Sequence, residues 1–187
     1  MLLQESLTPN TQTMAETIQK VQFSEEAMQA INAISGRYPA KHKKSALIPV
    51  LHIAQAESDG WLSAPVMDKV ASLLEIQSIE VYEVASFYSM FNLKPVGKYL
   101  LEVCRTTPCM LRGSDELIAY FEKKLGIKDG QTTKDGMFTL KSVECLGSCG
   151  TAPMLQCGAD YHENLDQAKA DALLEKLRAE NKRSRYC

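Results

Sequence analysis

The chain has 187 residues, enough for one domain with a substantial appendage, and its apolar share of 45% is ordinary for a globular protein. A net charge of −2 offers no basic face for nucleic acid, and no apolar stretch approaches a membrane span. Six cysteines without an apolar leader point to a reducing compartment, where thiols act as ligands, nucleophiles or core residues rather than as disulfide staples.

Residues 1–19 are polar, rich in Thr and Gln, and free of arginine, so they read as a flexible tail rather than a secretory or mitochondrial leader. From 20 to 92 the apolar spacing is helical. Ser24-Glu25-Glu26 opens a first helix carrying Met28, Ile31 and Ile34, which stops at Gly36. Lys41 to Glu57 reads as a second helix, with Leu47, Val50, Leu51 and Ala54 on one face and Pro49 as a bend inside it. Ser63 is the expected cap of a third, with Pro65 in its first turn and Val66, Val70, Leu73 and Leu74 as its stripe. Ser78 is the expected cap of a fourth. Four short helices can bury a common core, so residues 20–92 are predicted to form a helical bundle. Its aromatic stretch, Tyr82 to Phe91, is either bundle core or, with Trp61, a surface that docks a partner protein.

Asn92 to Gly97 marks a boundary, and the pattern beyond it changes. Tyr99 to Val103 is an apolar run that reads as a buried strand and delivers Cys104. A helix follows from Gly113 or Ser114 through Leu125, then a strand from Met137 to Glu144 that delivers Cys145. Pro153 to Cys157 reads as a third strand, Asp160 to Asn164 as a turn or short edge strand, and Asp166 to Ala179 as a closing helix. The order predicts a small mixed sheet with helices packed on it over 98–180, and a basic tail over 181–187. The fold class is therefore α+β.

Four cysteines carry the chemistry. Cys104 and Cys109 are spaced C-x4-C; after 35 residues Cys145 and Cys149 follow as C-x3-C. Two short-spaced pairs far apart in sequence suit one metal centre held from two loops. The spacing leaves three chemistries open: a 2Fe-2S cluster with one pair per iron, a structural zinc, or a dithiol–disulfide site. Neither pair is C-x2-C, which weakens the second and third. Gly113, Gly147 and Gly150 lie beside the pairs, where bare backbone brings N–H donors close to sulfur, and Arg105 and Arg112 flank the first pair. Cys157 reads as a small core residue and Cys187 as a free terminal thiol. His42, His52 and His162 pair with no cysteine at ligand spacing, no phosphate loop or dinucleotide fingerprint occurs, and no catalytic acid, base or nucleophile stands out.

Further motifs run the length of the chain: Ser45-Ala46-Leu47-Ile48-Pro49-Val50-Leu51-His52, Gly60-Trp61-Leu62, Val81-Tyr82-Glu83-Val84-Ala85-Ser86-Phe87-Tyr88, Pro95-Val96-Gly97-Lys98, Pro108-Cys109, Glu144-Cys145-Leu146-Gly147-Ser148-Cys149 and Ala152-Pro153. With them, from about Tyr38 to about Leu177, the chain resembles the E subunits of the NADH:quinone oxidoreductases of respiratory complex I. The resemblance implies a thioredoxin-like α/β 2Fe-2S ferredoxin domain behind the helical bundle. It implies that Cys104, Cys109, Cys145 and Cys149 bind one 2Fe-2S cluster. It also implies a partner flavoprotein that carries FMN and oxidises NADH, within a larger complex seated on the cytoplasmic side of the inner membrane. The same module occurs in NAD-linked hydrogenases and formate dehydrogenases. All-cysteine ligation implies a low potential, on the order of −400 mV. The isolated chain is expected to have no catalytic activity, and the helical bundle is expected to dock the flavoprotein.

Overall fold

The computed structural model describes residues 21–180. The expected tails at 1–19 and 181–187, and Cys187, lie outside the described residues. The chain divides into two compact units, Met1–Lys94 and Pro95–Cys187. Among the described residues no helix is long and apolar enough to cross a membrane.

Among its described residues, the regular structure of the first unit is all helical. Helix α1 (Glu25–Ser35) starts where Ser24 accepts a hydrogen bond from the Ala27 N–H at 3.1 Å, satisfying one of the N–H groups a helix start leaves open. The single helix expected from Lys41 splits in two. A 3-10 turn covers Ala40–Ala46, with His42 out of helical geometry, and α2 runs from Leu47 to Glu57. The split explains why Pro49 is harmless. It falls in the first turn of α2, where its missing N–H has no helical partner to lose. Helix α3 (Ala64–Leu74) has Pro65 in its first turn as expected, although the Ser63 side chain makes no capping bond. Helix α4 (Ser78–Phe87) is capped by Gln77 rather than Ser78: the Glu80 carboxylate accepts from the Gln77 N–H at 3.0 Å in a reciprocal capping box.

Ile31, Leu47, Val50, Leu51, Leu62, Val70, Leu74 and Val81 form the core of this unit. Gln55 is fully buried and stays satisfied. Its amide donates to the Met90 carbonyl at 3.1 Å, and its oxygen accepts from the Asn92 N–H at 2.7 Å. Within the aromatic stretch Phe91 is core, whereas Phe87 is 79% exposed and stacks edge-on against Tyr88.

The second unit is a four-stranded sheet in the order β2-β1-β3-β4, with helices on it. Strand β1 (Tyr99–Cys104) pairs in parallel with β2 (Phe138–Val143), from Tyr99 opposite Phe138 to Cys104 opposite Val143. Strand β3 (Leu155–Cys157) pairs antiparallel with β1 and with β4 (Asp160–His162). Between β1 and β2 lie a one-turn helix α5 (Thr107–Leu111) and α6 (Ser114–Leu125); α7 (Gln167–Ala179) closes the unit.

Alternate residues of the sheet, Tyr99, Leu101, Val103, Phe138, Leu140 and Leu155, meet Leu117 and Phe121 of α6 and Leu173, Leu174 and Leu177 of α7 in one core. Cys157 is buried in it, as its strand position suggested. Gly97, at the entry to β1, allows a close approach. A Cβ there would stand 2.9 Å from the Phe138 carbonyl carbon and 3.1 Å from the Gly136 oxygen. Its N–H donates to the Thr139 hydroxyl at 2.6 Å.

Candidate metal centre

Parallel pairing puts the C-terminal ends of β1 and β2 at the same edge of the sheet. Each strand releases its cysteines there. Cys104 is the last residue of β1, and Cys109 follows on α5, whose start carries Pro108 where a lost N–H does no harm. Cys145 and Cys149 sit in the loop after β2, which ends in a 3-10 turn at Cys149–Thr151.

The two pairs live in different surroundings. Cys104 and Cys109 are 2% and 1% exposed and form a small apolar cluster with Ala152 and Met154, against which Leu146 packs. Cys145 and Cys149 are exposed. Their sulfurs are 3.7 Å apart. Two thiolates on one tetrahedral ion, with metal–sulfur bonds of about 2.3 Å, stand about 3.8 Å apart, so this pair is already spaced to share an ion. Leu146, between Cys145 and Cys149, packs against the cluster that holds Cys104 and Cys109, and charge on Cys104 raises the Cys149 thiol, so the two pairs lie close together. Among the described residues no three His, Cys, Asp or Glu side chains meet as ligands of a single ion; the sulfurs come two and two.

Donors surround the sulfurs. The Gly147 N–H points at Cys145 Sγ at 3.4 Å, and Gly147 reaches that position with φ of 82°, a left-handed conformation that suits glycine. The Thr106 hydroxyl stands 3.6 Å from Cys104 Sγ. Burial pushes the Cys104 thiol up, but backbone bonds from Thr106 and Leu146, the Thr106 hydroxyl and the Cys109 thiol outweigh it and leave Cys104 below the ordinary thiol value. Burial, then its bond to Cys104, pushes Cys109 up to about 11. Cys149 is raised, first by its contact with Cys145.

Of the two arginines expected to assist, Arg105 is turned to a surface ion pair with Glu144 at 3.2 Å. Two residues without a sequence-based assignment also take part. Tyr161 donates its hydroxyl to the Leu146 carbonyl at 2.7 Å, and the Glu163 carboxylate accepts from Ser148 Oγ and, at 2.6 Å, from Thr151 Oγ1. Those hydroxyls hold the Glu163 carboxyl below the usual carboxylate range. The sequence signal for the pair is a Tyr-x-Glu alternation that starts on the edge strand β4 and ends one residue beyond it.

The donor set fits a 2Fe-2S cluster: two thiol pairs, backbone N–H groups aimed at sulfur, and an apolar wall behind the inner pair. A family model for thioredoxin-like 2Fe-2S ferredoxins matches residues 31–178. The chain is 48% identical over 153 residues to the NADH-quinone oxidoreductase E subunit of Rickettsia typhi, covering 82% of this chain and 90% of that protein. It is 49% identical over 149 residues to the NADH-quinone oxidoreductase E 2 subunit of Rhizobium meliloti, covering 80% and 87%. Among solved structures, it is similar to an NAD+-reducing NiFe-hydrogenase in the air-oxidized state, with a TM-score of 0.63 and 25% identity over 73% of this chain; the match spans 23% of that hydrogenase chain. On its sequence, the chain belongs to the thioredoxin-like 2Fe-2S ferredoxin family.

Proposed function

We propose that this chain is the electron-transferring E subunit of an NADH:quinone oxidoreductase, and that Cys104 and Cys109 hold one iron, and Cys145 and Cys149 the other, of a single 2Fe-2S cluster. The observation that carries the ligand assignment is the convergence of two thiol pairs at one sheet edge, with the outer pair at the 3.7 Å spacing of ligands to one ion. The place in that oxidoreductase is supported by the relatives so named, at 48% and 49% identity over most of both chains. When bound, such a cluster supplies a one-electron carrier.

The residues of the chain itself supply the remainder. Met154 and Ala152 keep water from the inner sulfurs, and the Gly147 and Leu146 backbone donates toward the thiolates. NADH gives up a hydride, two electrons at once, so a flavin is needed to divide them. We assign that flavin, FMN, and the NADH site to a partner flavoprotein, and we place the chain in a larger complex peripheral to the cytoplasmic side of a membrane. The exposed Phe87 and Tyr88 of the helical unit are the contact we assign to that partner. A second assembly is favoured by one observation only: the likeness to the NAD+-reducing hydrogenase suggests an equivalent role there.

The test is the protein purified without oxygen. A red-brown chain with charge-transfer absorption and two irons and two sulfides per chain is expected, with no NADH oxidation until the flavoprotein is added. A colourless zinc-loaded chain would overturn the cluster assignment, and steady NADH oxidation by the chain alone would overturn the division of labour.

A further inference from the structure

The loop that carries Cys145 and Cys149 contains little that would hold it. It is exposed, it has no strand pairing, and its one regular element is a three-residue 3-10 turn. Its restraint comes from β4 and the residue that follows it. Tyr161 donates to the Leu146 carbonyl, between the two cysteines, at 2.7 Å. Glu163 accepts from Ser148, also between them, and from Thr151, just beyond them. Ser148 Oγ and Thr151 Oγ1 lie 2.7 Å apart, so both hydroxyls reach the one Glu163 carboxylate oxygen under the loop. The backbone continues the fastening, with the Asn164 N–H donating to the Thr151 carbonyl at 2.7 Å and the Leu165 N–H to the Pro153 carbonyl at 2.9 Å. Strand β4 is in turn fixed to the sheet through Tyr161 opposite Gln156 and His162 opposite Leu155. Beside those backbone bonds and the packing of Leu146, the loop is tied to the sheet edge by two side chains, Tyr161 and Glu163.

We infer that Tyr161 and Glu163 are positioning residues for the outer iron of the cluster, and that the Glu163 carboxylate makes a cluster seated there harder to reduce. This rests on the ligand assignment above. The two side chains divide the task. Tyr161 is neutral and fixes the loop by one bond, so its removal loosens the ligands without changing the charge beside them. Glu163 is charged and tied to both hydroxyls of the loop. A fixed negative charge near a centre that becomes more negative on reduction opposes the added electron.

Three chains test this: the native protein, Tyr161→Phe and Glu163→Gln. Both substitutions preserve shape and lie at exposed positions, and the glutamine oxygen still accepts from Ser148 and Thr151. Each is measured for iron per chain, for the rate of iron loss to a chelator, and for the reduced fraction at a fixed applied potential. Glu163→Gln is expected to keep native iron content and a native rate of loss, while its reduced-to-oxidised ratio rises about threefold, equal to about 28 mV for a one-electron couple. Tyr161→Phe is expected to lose iron about threefold faster at unchanged potential. A variant Glu163→Asp, which restores the charge, returns the ratio to native. Native potential in Glu163→Gln overturns the electrostatic role, and native loss rate in Tyr161→Phe overturns the positioning role. A native chain without iron and sulfide refutes the ligand assignment instead, and is told apart by that first measurement.

Discussion

The two cysteine pairs sit at the same sheet edge but are built by opposite means. Cys104 and Cys109 are placed by regular structure, one ending a strand and one riding a helix, and both are walled by Ala152 and Met154. Cys145 and Cys149 are placed by a solvent-exposed loop that side chains tie down from outside. The first pair comes with the fold, whereas the second depends on a polar network. Burial and regular structure therefore place one side of the site, and hydrogen bonds, with the single apolar anchor of Leu146, position the other.

The sharpest way to break the comparison is to remove ligands. Alanine at any one of Cys104, Cys109, Cys145 or Cys149 is expected to bring iron per chain close to zero, whereas Cys157→Ala, in the core beneath, keeps full iron; metal analysis of the purified variants decides. Next in size is the order of alkylation in the metal-free protein at pH 8. Cys145 and Cys149 are expected to react first, with Cys109, buried and pushed up to about 11, at least about tenfold slower because the thiolate is the reactive form. Peptide mapping against time measures it, and equal rates would erase the distinction between the pairs.

A third test concerns the scaffold of the inner pair. Gly97→Ala drives a Cβ into the Phe138 and Gly136 backbone at the root of β1, and is expected to cost about 1–3 kcal/mol in a urea melt of the metal-free protein. A smaller contrast sharpens the comparison within the site itself. Without metal, Cys109→Ala leaves a buried gap and is expected to cost about 1 kcal/mol, while Cys145→Ala on the surface stays within about 0.5 kcal/mol of the parent. The smallest effect lies in the other unit. Half-buried His52 packs on Phe91 at 5.0 Å between ring centres, and burial lowers its pKa. The unfolded imidazole takes up a proton near pH 6.5, the folded one only further down. Its contribution to stability is therefore complete above pH 6.5 and is lost as pH falls through the lowered folded value. A urea midpoint that drops between pH 7.5 and 5.5 in the parent, and drops less in His52→Gln, is the expected result.

Much of this architecture was legible in the sequence, for identifiable reasons. The apolar run Tyr99–Val103 and the stripe Ala170, Leu173, Leu174, Leu177 announce a buried strand and an amphipathic helix because one face of each must be apolar. The cysteine spacing suggests a two-loop site because each short spacing can span one metal ion. Other features resisted. Helix α5 is a single turn of five residues, too short to show periodicity, although Thr106 and Pro108 were the start signals it had. The break at Ala46–Leu47 was hidden because Lys41 to Ser45 holds neither Gly nor Pro, so nothing punctuates the chain before the stripe that begins at Leu47, and Pro49, the nearest breaker, falls inside the helix rather than at its start. Gln77 took the cap expected of Ser78 because Glu80 lies three residues beyond Gln77, completing its box. The ties from Tyr161 and Glu163 cross 12 to 15 residues and depend on which way an edge strand turns its side chains, which only the folded sheet decides.

The parallel register of β1 and β2 carries a consequence for when the site comes into being. A hairpin would have brought its two loops together within a few residues of synthesis. Parallel strands need a crossover, here α5, α6 and the turns up to Gly136, before Val143 can lie beside Cys104. A growing chain thus exposes Cys104 and Cys109 while the other two cysteines of the proposed ligand set do not yet exist. Half a site is all that a passing metal ion can meet during that interval. Completion of the ligand set becomes a proof of correct topology, and a chain that has captured its full complement of iron has, by that fact, already folded its sheet.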